Sequence, residues 1–157
     1  MDLFVSFPAP KLTSRMLWEA LVDIGEMRPL GQGPLGERRI IPILGGEFRG
    51  GAGMEGFHGK ILPGGADRQL IRVDGGKELD ALYEMEVVDG TVLTIHNKVI
   101  IDESGEGARY ALSHIQVTAP QGPWSWLNRR IILGSLQPAM PARNSVIIRG
   151  YEASVSA

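Results

Sequence analysis

The chain has no cysteine, which excludes disulfides, thiolate catalysis and cysteine-ligated zinc, although reducing and oxidising compartments both tolerate that absence. Aromatic residues make up only 6% of its 157 residues, and apolar residues never run far enough for a membrane-spanning helix. The opening MDLFVSFPAPK lacks a basic stretch followed by a long apolar one, so no leader and a cytoplasmic location are expected. Charge of one sign is missing as well. The net charge is -2, and the basic residues stand singly or in pairs, without the stripe that a nucleic-acid backbone requires. Neither nucleic acid nor membrane is expected as a partner. No Gly-x-Gly-x-x-Gly leads into a helix, and no Gly-x-Ser-x-Gly occurs. A dinucleotide cofactor and a serine elbow are therefore not expected. His-x-His and His-x-x-x-His spacings are also missing, so no metal is expected.

Glycine and proline are abundant, at 21 and 10 residues, too many for a helical bundle. They cluster in breaks such as PLGQGPLG (29 to 36), GGEFRGGAGMEG (45 to 56), PGGAD (63 to 67), DESGEG (102 to 107) and QPAMPARN (137 to 144). Short runs rich in Val, Ile, Leu and aromatics lie between the breaks, the pattern of successive antiparallel strands. An all-β sandwich or barrel follows. With 43% hydrophobic and 22% charged residues and no linker, residues 1 to 157 read as one domain. One segment resists: SRMLWEALVDIGEM (14 to 27) places Leu17, Ala20, Leu21 and Ile24 at helical spacing, while Trp18, Ala20, Val22 and Ile24 alternate as in a strand. The periodicity by itself leans towards helix.

The best local geometry is a hairpin, ELDALYEMEVV (78 to 88) and TVLTIHNKVII (91 to 101) around Asp89-Gly90, a pair suited to a two-residue turn. Such a turn sets Tyr83 opposite His96 and Asp80 opposite Val99. Leu79, Ala81, Tyr83, Met85, Val87, Val92, Thr94, His96 and Lys98 then share one face. Asp80, Leu82, Glu84, Glu86, Leu93, Ile95, Asn97 and Val99 share the other, joined from the next strand by Tyr110, Leu112, His114 and Gln116. Aliphatic and polar groups are mixed on both faces, which suits a barrel lined by a cavity better than a sandwich with a dry core.

The blocks GERRIIPILGGEFRG, LPGGADRQLIRVDGG, LDALYEMEVVDG and WSWLNRRIILG, in that order over nearly the whole chain, resemble the bacterial and fungal family called domain of unknown function thirty-two thirty-seven (DUF3237). The resemblance implies a single antiparallel β-barrel of calycin-like shape with little or no helix, and hence that residues 16 to 27 are strand. It supplies architecture and no assigned chemistry. It also marks Asp67, Asp80, Tyr83, Asn97, Trp126 and Asn128 as residues shared with the family pattern, which has an arginine where this chain has Leu82. That departure leaves Asp80 to find another partner or points to a changed ligand.

Asp67 follows a Gly-Gly turn, where an aspartate either bonds nearby backbone N–H groups or stands at the barrel rim as a base or ligand anchor. Gln69 accompanies it towards the mouth. His114, on the predicted face of Tyr110, Glu84 and Asn97, is the preferred acid/base histidine, although a satisfied core histidine is the bland alternative. His58 reads as a turn histidine and His96 as a polar partner of Tyr83. Glu47 deputises for Asp67 as the carboxylate. Arg38 and Arg39 lie on opposite faces, and Arg39 is favoured for an inward anionic or carbonyl contact; solvated exterior arginines are the ordinary outcome. Trp124 and Trp126, on one side of an extended run, either close one end of the barrel or supply, through Trp126, a wall for a ring-shaped ligand.

Two function classes follow. One is a cofactor-independent enzyme acting on a small, largely apolar or aromatic metabolite by proton transfer: isomerisation, cyclisation, hydration or elimination. Asp67, Glu47 and His114 would move protons, Tyr83 and Asn97 would receive a developing oxyanion, and Arg39, Gln69, Tyr110 and Trp126 would bind substrate. The other is a barrel that binds or carries such a molecule unchanged. A small-molecule ligand is the expected partner, and pairing of copies through an open strand edge is a further possibility for the assembly.

Overall fold

The structure, a computed structural model, describes residues 1–156. A single helical turn, α1 (Leu3–Ser6), is capped by the Asp2 carboxylate, which accepts from the Phe4 N–H at 2.9 Å. Ten strands follow: β1 (Lys11–Ile24), β2 (Arg28–Gly33), β3 (Gly36–Gly50), β4 (His58–Ile61), β5 (Ala66–Arg72), β6 (Lys77–Val87), β7 (Val92–Asp102), β8 (Tyr110–Thr118), β9 (Ile132–Pro138) and β10 (Ser145–Ser156). One 3₁₀ turn, Ser125–Arg129, lies between β8 and β9.

All pairings are antiparallel. The wall runs β1-β10-β9-β8-β7-β6, continues through β4 and β5 to β3, and returns to β1. Residues 14 to 27 are therefore strand up to Ile24, as the family resemblance implies and contrary to their helical spacing. The reason is a bulge. Register shifts between Met16 and Trp18 opposite β10, so Leu17 and Trp18 are both fully buried although adjacent. An extra inward residue in a strand imitates the three-and-four spacing of a helix.

The barrel has two unlike ends. One is plugged: the Phe57 ring packs against Trp124 at 4.8 Å, Phe48 at 5.1 Å and Trp18 at 5.8 Å. The 3₁₀ turn adds Leu127, and Asn128 fastens the turn to β8 by donating to the Ala119 carbonyl at 2.9 Å and accepting from its N–H at 2.7 Å. The other end opens between the start of β3, β5, the start of β6, the end of β7 and the β9–β10 loop. Strand β3 serves both ends by changing partners. Its first half pairs with β5 and β2, its second with β4 and β1. The corner falls at Gly45 and Gly46, with φ of 150° and 137°. A Cβ on Gly46 would collide with the Leu21 carbonyl of the neighbouring strand. Gly46→Ala is expected to destabilise the barrel by about 1–3 kcal/mol, lowering Tm by roughly 2–4 °C for each kcal/mol in a chain of this size. Differential scanning calorimetry checks this, and an unchanged Tm would show that the corner tolerates a side chain.

The β6–β7 hairpin turns through three residues rather than two. The Val87 N–H donates to the Thr91 carbonyl at 2.8 Å and the Gly90 N–H to the Val87 carbonyl at 2.8 Å, with Gly90 at φ 92°. Only the last loop position takes the left-handed conformation, as in a type I turn closed by a glycine. Tyr83 consequently faces Ile95, Leu82 faces His96 and Asp80 faces Lys98. The one-residue slip turns β7 over relative to the sequence expectation. Inside now lie Leu79, Ala81, Tyr83, Met85, Val87, Leu93, Ile95, Asn97, Val99 and Ile101, all buried. The inner face is thus far more apolar than expected, and its two polar side chains stand out for that reason.

Candidate functional site

The open end holds a cavity of about 220 Å³. Aliphatic side chains from β1, β3, β6, β7, β9 and β10 form most of its wall, and Asp67, Gln69, Tyr83, Asn97, Lys77 and Arg109 are its polar lining. Register explains the convergence. Ala81 pairs with Asp67 on one side and with Asn97 on the other, so a carboxylate and a carboxamide flank one methyl group at a single level of the wall. Tyr83 lies two residues further along β6, on the same inward face. The preceding loop makes this possible, because Gly65 runs so close to Tyr83 and the Leu82 carbonyl that a Cβ there would clash.

The polar groups are poorly paired. Gln69 Nε2 donates to Asp67 Oδ2 at 2.9 Å, but Asp67 Oδ1, the Tyr83 hydroxyl and Asn97 Oδ1 are buried without a protein partner. Each such group costs about 1–3 kcal/mol, and three of them lie along one cavity. Burial pushes the Asp67 carboxyl above its ordinary value of 3.8, and only partly is this offset by the Gln69 hydrogen bond. Burial, with the nearby Asp67 charge, likewise pushes the Tyr83 phenol up, which keeps it a hydrogen-bond donor at neutral pH.

Several expected site residues are elsewhere. His114 is exposed on the outer face, paired across the ladder with Lys98 and Leu133. It is no part of the cavity, because the turned-over β7 carries Asn97 inward and leaves the outward positions to His96 and Lys98. Tyr110, 56% exposed, lies outside as well. Glu47 is an exterior residue that accepts from Arg143 at 3.2 Å. Trp126 belongs to the 3₁₀ turn at the plugged end, with the Arg130 guanidinium 5.7 Å from its ring; the run is coiled rather than extended, so Trp126 is no cavity wall. Trp124 beside it packs on Phe57 and donates to Asp89 at 2.9 Å. Arg39 pairs with Gln69 in register and so sits on the cavity side of β3, but its guanidinium is engaged by Glu37 at 3.2 Å above the lining. His96 finds Asp80 rather than Tyr83, at 2.6 Å on the outside. Leu82, where the family pattern has arginine, is also outside and 49% exposed, so that departure does not touch the cavity.

Lys77 and Arg109 escaped the sequence reading, since both sit beside turns and nothing local distinguishes them from solvated charges. Among the described residues, no three His, Asp or Glu side chains gather as a metal site would need.

A closed antiparallel barrel with a ligand-sized cavity at one end is the class of protein that fold and site define. The chain belongs to the family described as protein of unknown function (DUF3237), whose model matches residues 12–153. A UPF0311 protein of Rhodopseudomonas palustris strain TIE-1 is 43% identical over 88 residues, 56% of this chain and 55% of that protein. A UPF0311 protein of Bradyrhizobium diazoefficiens is 38% identical over 91 residues, 58% of this chain and 57% of that one. The matched part thus spans little more than half the length of these relatives. Among solved structures, a conserved protein of unknown function from Rhodopseudomonas palustris superimposes with a TM-score of 0.81 at 30% identity, covering 93% of this chain and 100% of the other. A β-barrel-like protein from Acinetobacter baumannii gives a TM-score of 0.81 at 26% identity over 94% of this chain and 99% of its own. A structure described as an enzyme from Penicillium herquei gives 0.72 at 18% identity over 94% and 97%, a likeness of fold alone.

The raised Asp67 carboxyl has a consequence for stability. Below its unfolded value of 3.8 both states hold the proton and nothing is lost. As pH rises from there through the folded value, the unfolded chain ionises first and stability falls. Asp67→Asn cannot ionise, so its stability relative to the native chain is expected to increase from about pH 4 to neutrality. Urea midpoints at a series of pH values measure this; a constant difference would show that Asp67 is freely hydrated.

Proposed function

We propose that the protein is a cofactor-independent enzyme that moves protons on a small, largely apolar or aromatic metabolite held in the barrel cavity. The observation that carries this reading is the grouping of Asp67, Tyr83 and Asn97 around Ala81, each with a buried polar atom lacking a protein partner. In this reading Gln69 orients Asp67 through Oδ2 and leaves Oδ1 free for the reacting proton. The Asp67 carboxylate takes a proton from a C–H or O–H of the substrate, and the electron pair left behind shifts onto a substrate oxygen. The Tyr83 hydroxyl donates to that oxygen, and Asn97 holds the substrate's remaining polar atom. The carboxylic acid so formed then returns the proton at another substrate atom, which isomerises the substrate or closes a ring. In an elimination it protonates the departing group, and in a hydration the carboxylate instead takes its proton from a water molecule as that oxygen adds to the substrate. A carboxyl raised by burial suits both halves of that exchange near neutral pH. His114, Glu47, Tyr110 and Trp126 have no part in this scheme. That a protein of the same fold is described as an enzyme is compatible with it and transfers no activity.

A second reading, a barrel that binds or carries a small molecule unchanged, draws support from the wall itself, which is mostly Val, Ile and Leu. The two differ in what happens to the ligand. Native mass spectrometry of protein purified without additives identifies what co-purifies, and incubation in D2O then asks whether it changes. The enzyme reading expects deuterium at carbon or an altered product, and Asp67→Asn should keep the ligand but slow the change by at least about 100-fold. A ligand recovered unaltered and unlabelled would favour the carrier. Turnover undiminished in Asp67→Asn would remove the aspartate from the mechanism.

A further inference from the structure

The mouth of the cavity carries two cations in its lining. Lys77 and Arg109 both line it, and the one carboxylate of the lining, Asp67, lies deeper. Lys77 is half-buried and makes no ion pair among the described residues. Arg109 reaches Glu103 only at 3.6 Å, beyond a hydrogen bond. Arg39, by contrast, is taken up by Glu37 at 3.2 Å. Lys77, with no ion pair among the described residues, and Arg109, held by Glu103 only at the distance of a loose ion pair, place positive charge at the rim of an apolar hole, where it attracts anions.

The levels of the wall set the spacing. Lys77 pairs with Ile71 and Ile101, whereas Asp67 pairs with Ala81 four residues further along β6. At about 3.3 Å per residue the two levels are about 13 Å apart. Between them lies Leu79, flanked by Val99 on β7 and by Gln69 on β5. A volume of about 220 Å³ is below that of pockets for drug-sized molecules, roughly 300–1,000 Å³, and corresponds to one or two rings.

We infer that the ligand of this cavity is an organic anion, a flat one- or two-ring acid whose carboxylate or equivalent acidic group is held at the mouth by Lys77 and Arg109 while a hydroxyl or carbonyl at its far end meets Asp67, Tyr83 and Asn97. The inference rests on the reading of the cavity as a ligand site and adds the chemical class of the ligand. The anion supplies the partner that Lys77 lacks and a closer one for Arg109 than Glu103 at 3.6 Å, the apolar body replaces water along the aliphatic wall, and the far oxygen satisfies the unpartnered buried atoms.

Three probes separate the parts of this argument by isothermal titration calorimetry: 6-hydroxy-2-naphthoate, its methyl ester and 2-naphthol. The native protein should bind the acid about tenfold or more tightly than the ester or the naphthol, as a charge-assisted contact at a partly exposed site allows. Lys77→Met and Arg109→Met should each shrink that preference while leaving 2-naphthol affinity unchanged. Equal affinity for all three probes in the native protein would overturn the anion and leave the cavity reading standing. Failure of every probe to bind would overturn both. The comparison of acid with ester in the native protein needs no variant, so a variant that fails to fold leaves the test intact.

Discussion

Strand β1 pairs along both of its edges, with Trp18 opposite Gly150 on β10 and opposite Gly50 on β3. This double pairing turns a ten-stranded sheet into a closed wall, and the interior exists because of it. Closure satisfies the backbone of every wall strand without exposing an edge along the barrel. It also demands room where strands meet at steep angles, and glycine provides it. The indole of Trp18 lies so near Gly150 that a Cβ there would meet the ring. Buried completely, Trp18 joins Phe57, Phe48 and Trp124 in filling one end of the barrel. The interior volume that this plug leaves unfilled is the cavity at the other end.

Within that cavity the energetics are asymmetric. Aliphatic groups stabilise the barrel simply by being there, at about 25 cal/mol per Å² of apolar surface removed from water. Asp67, Tyr83 and Asn97 oppose it, since each keeps a buried atom without a protein partner. Substitution by apolar side chains of similar volume would relieve that cost. The same burial raises the proton affinity of the Asp67 carboxyl.

The outer face carries most of the charge and little of the stability. Glu19 accepts from Arg149 at 2.7 Å and from Arg49 at 3.0 Å, and these arginines hold its carboxyl below the usual carboxylate range. Arg143 grips Asp23 with two hydrogen bonds of 2.8 and 2.9 Å and reaches Glu47 as well. That contact ties the β9–β10 loop, whose Met140 lines the cavity, to strands β1 and β3. Exposed pairs of this kind add little to stability, because water and salt screen them. Their geometric effect, fixing a loop at the mouth, is the larger consequence. Glu47 thus touches the loop at the cavity mouth through Arg143 and does not line the cavity.

Much of the strand-and-turn punctuation was legible in the sequence because glycine, proline and short apolar runs act locally. But β2 and the end of β3 run through the glycine-rich stretches 29 to 36 and 45 to 56 that read as breaks, because glycine there serves a bend or close approach within a strand. The family blocks added closure into a barrel and corrected the helical spacing of residues 14 to 27. Asp67 and Gln69 were found through the Gly-Gly turn before them, and Asp67, Tyr83 and Asn97 through the family pattern. Their company was decided elsewhere. Asp89-Gly90 suits a loop of two residues or of three, and the difference of one residue exchanges the inside and outside of β7, taking His96 and Lys98 out and Asn97 in. With that exchange His114 and Tyr110 left the site, and Lys77 and Arg109, two turn-adjacent cations of no local distinction, came to its mouth. Sequence alone determined that the chain is a succession of short strands and turns, and which few residues are out of character in them. Tertiary structure decided which of them face each other, because a period of two carries no record of its own phase until the strands are paired.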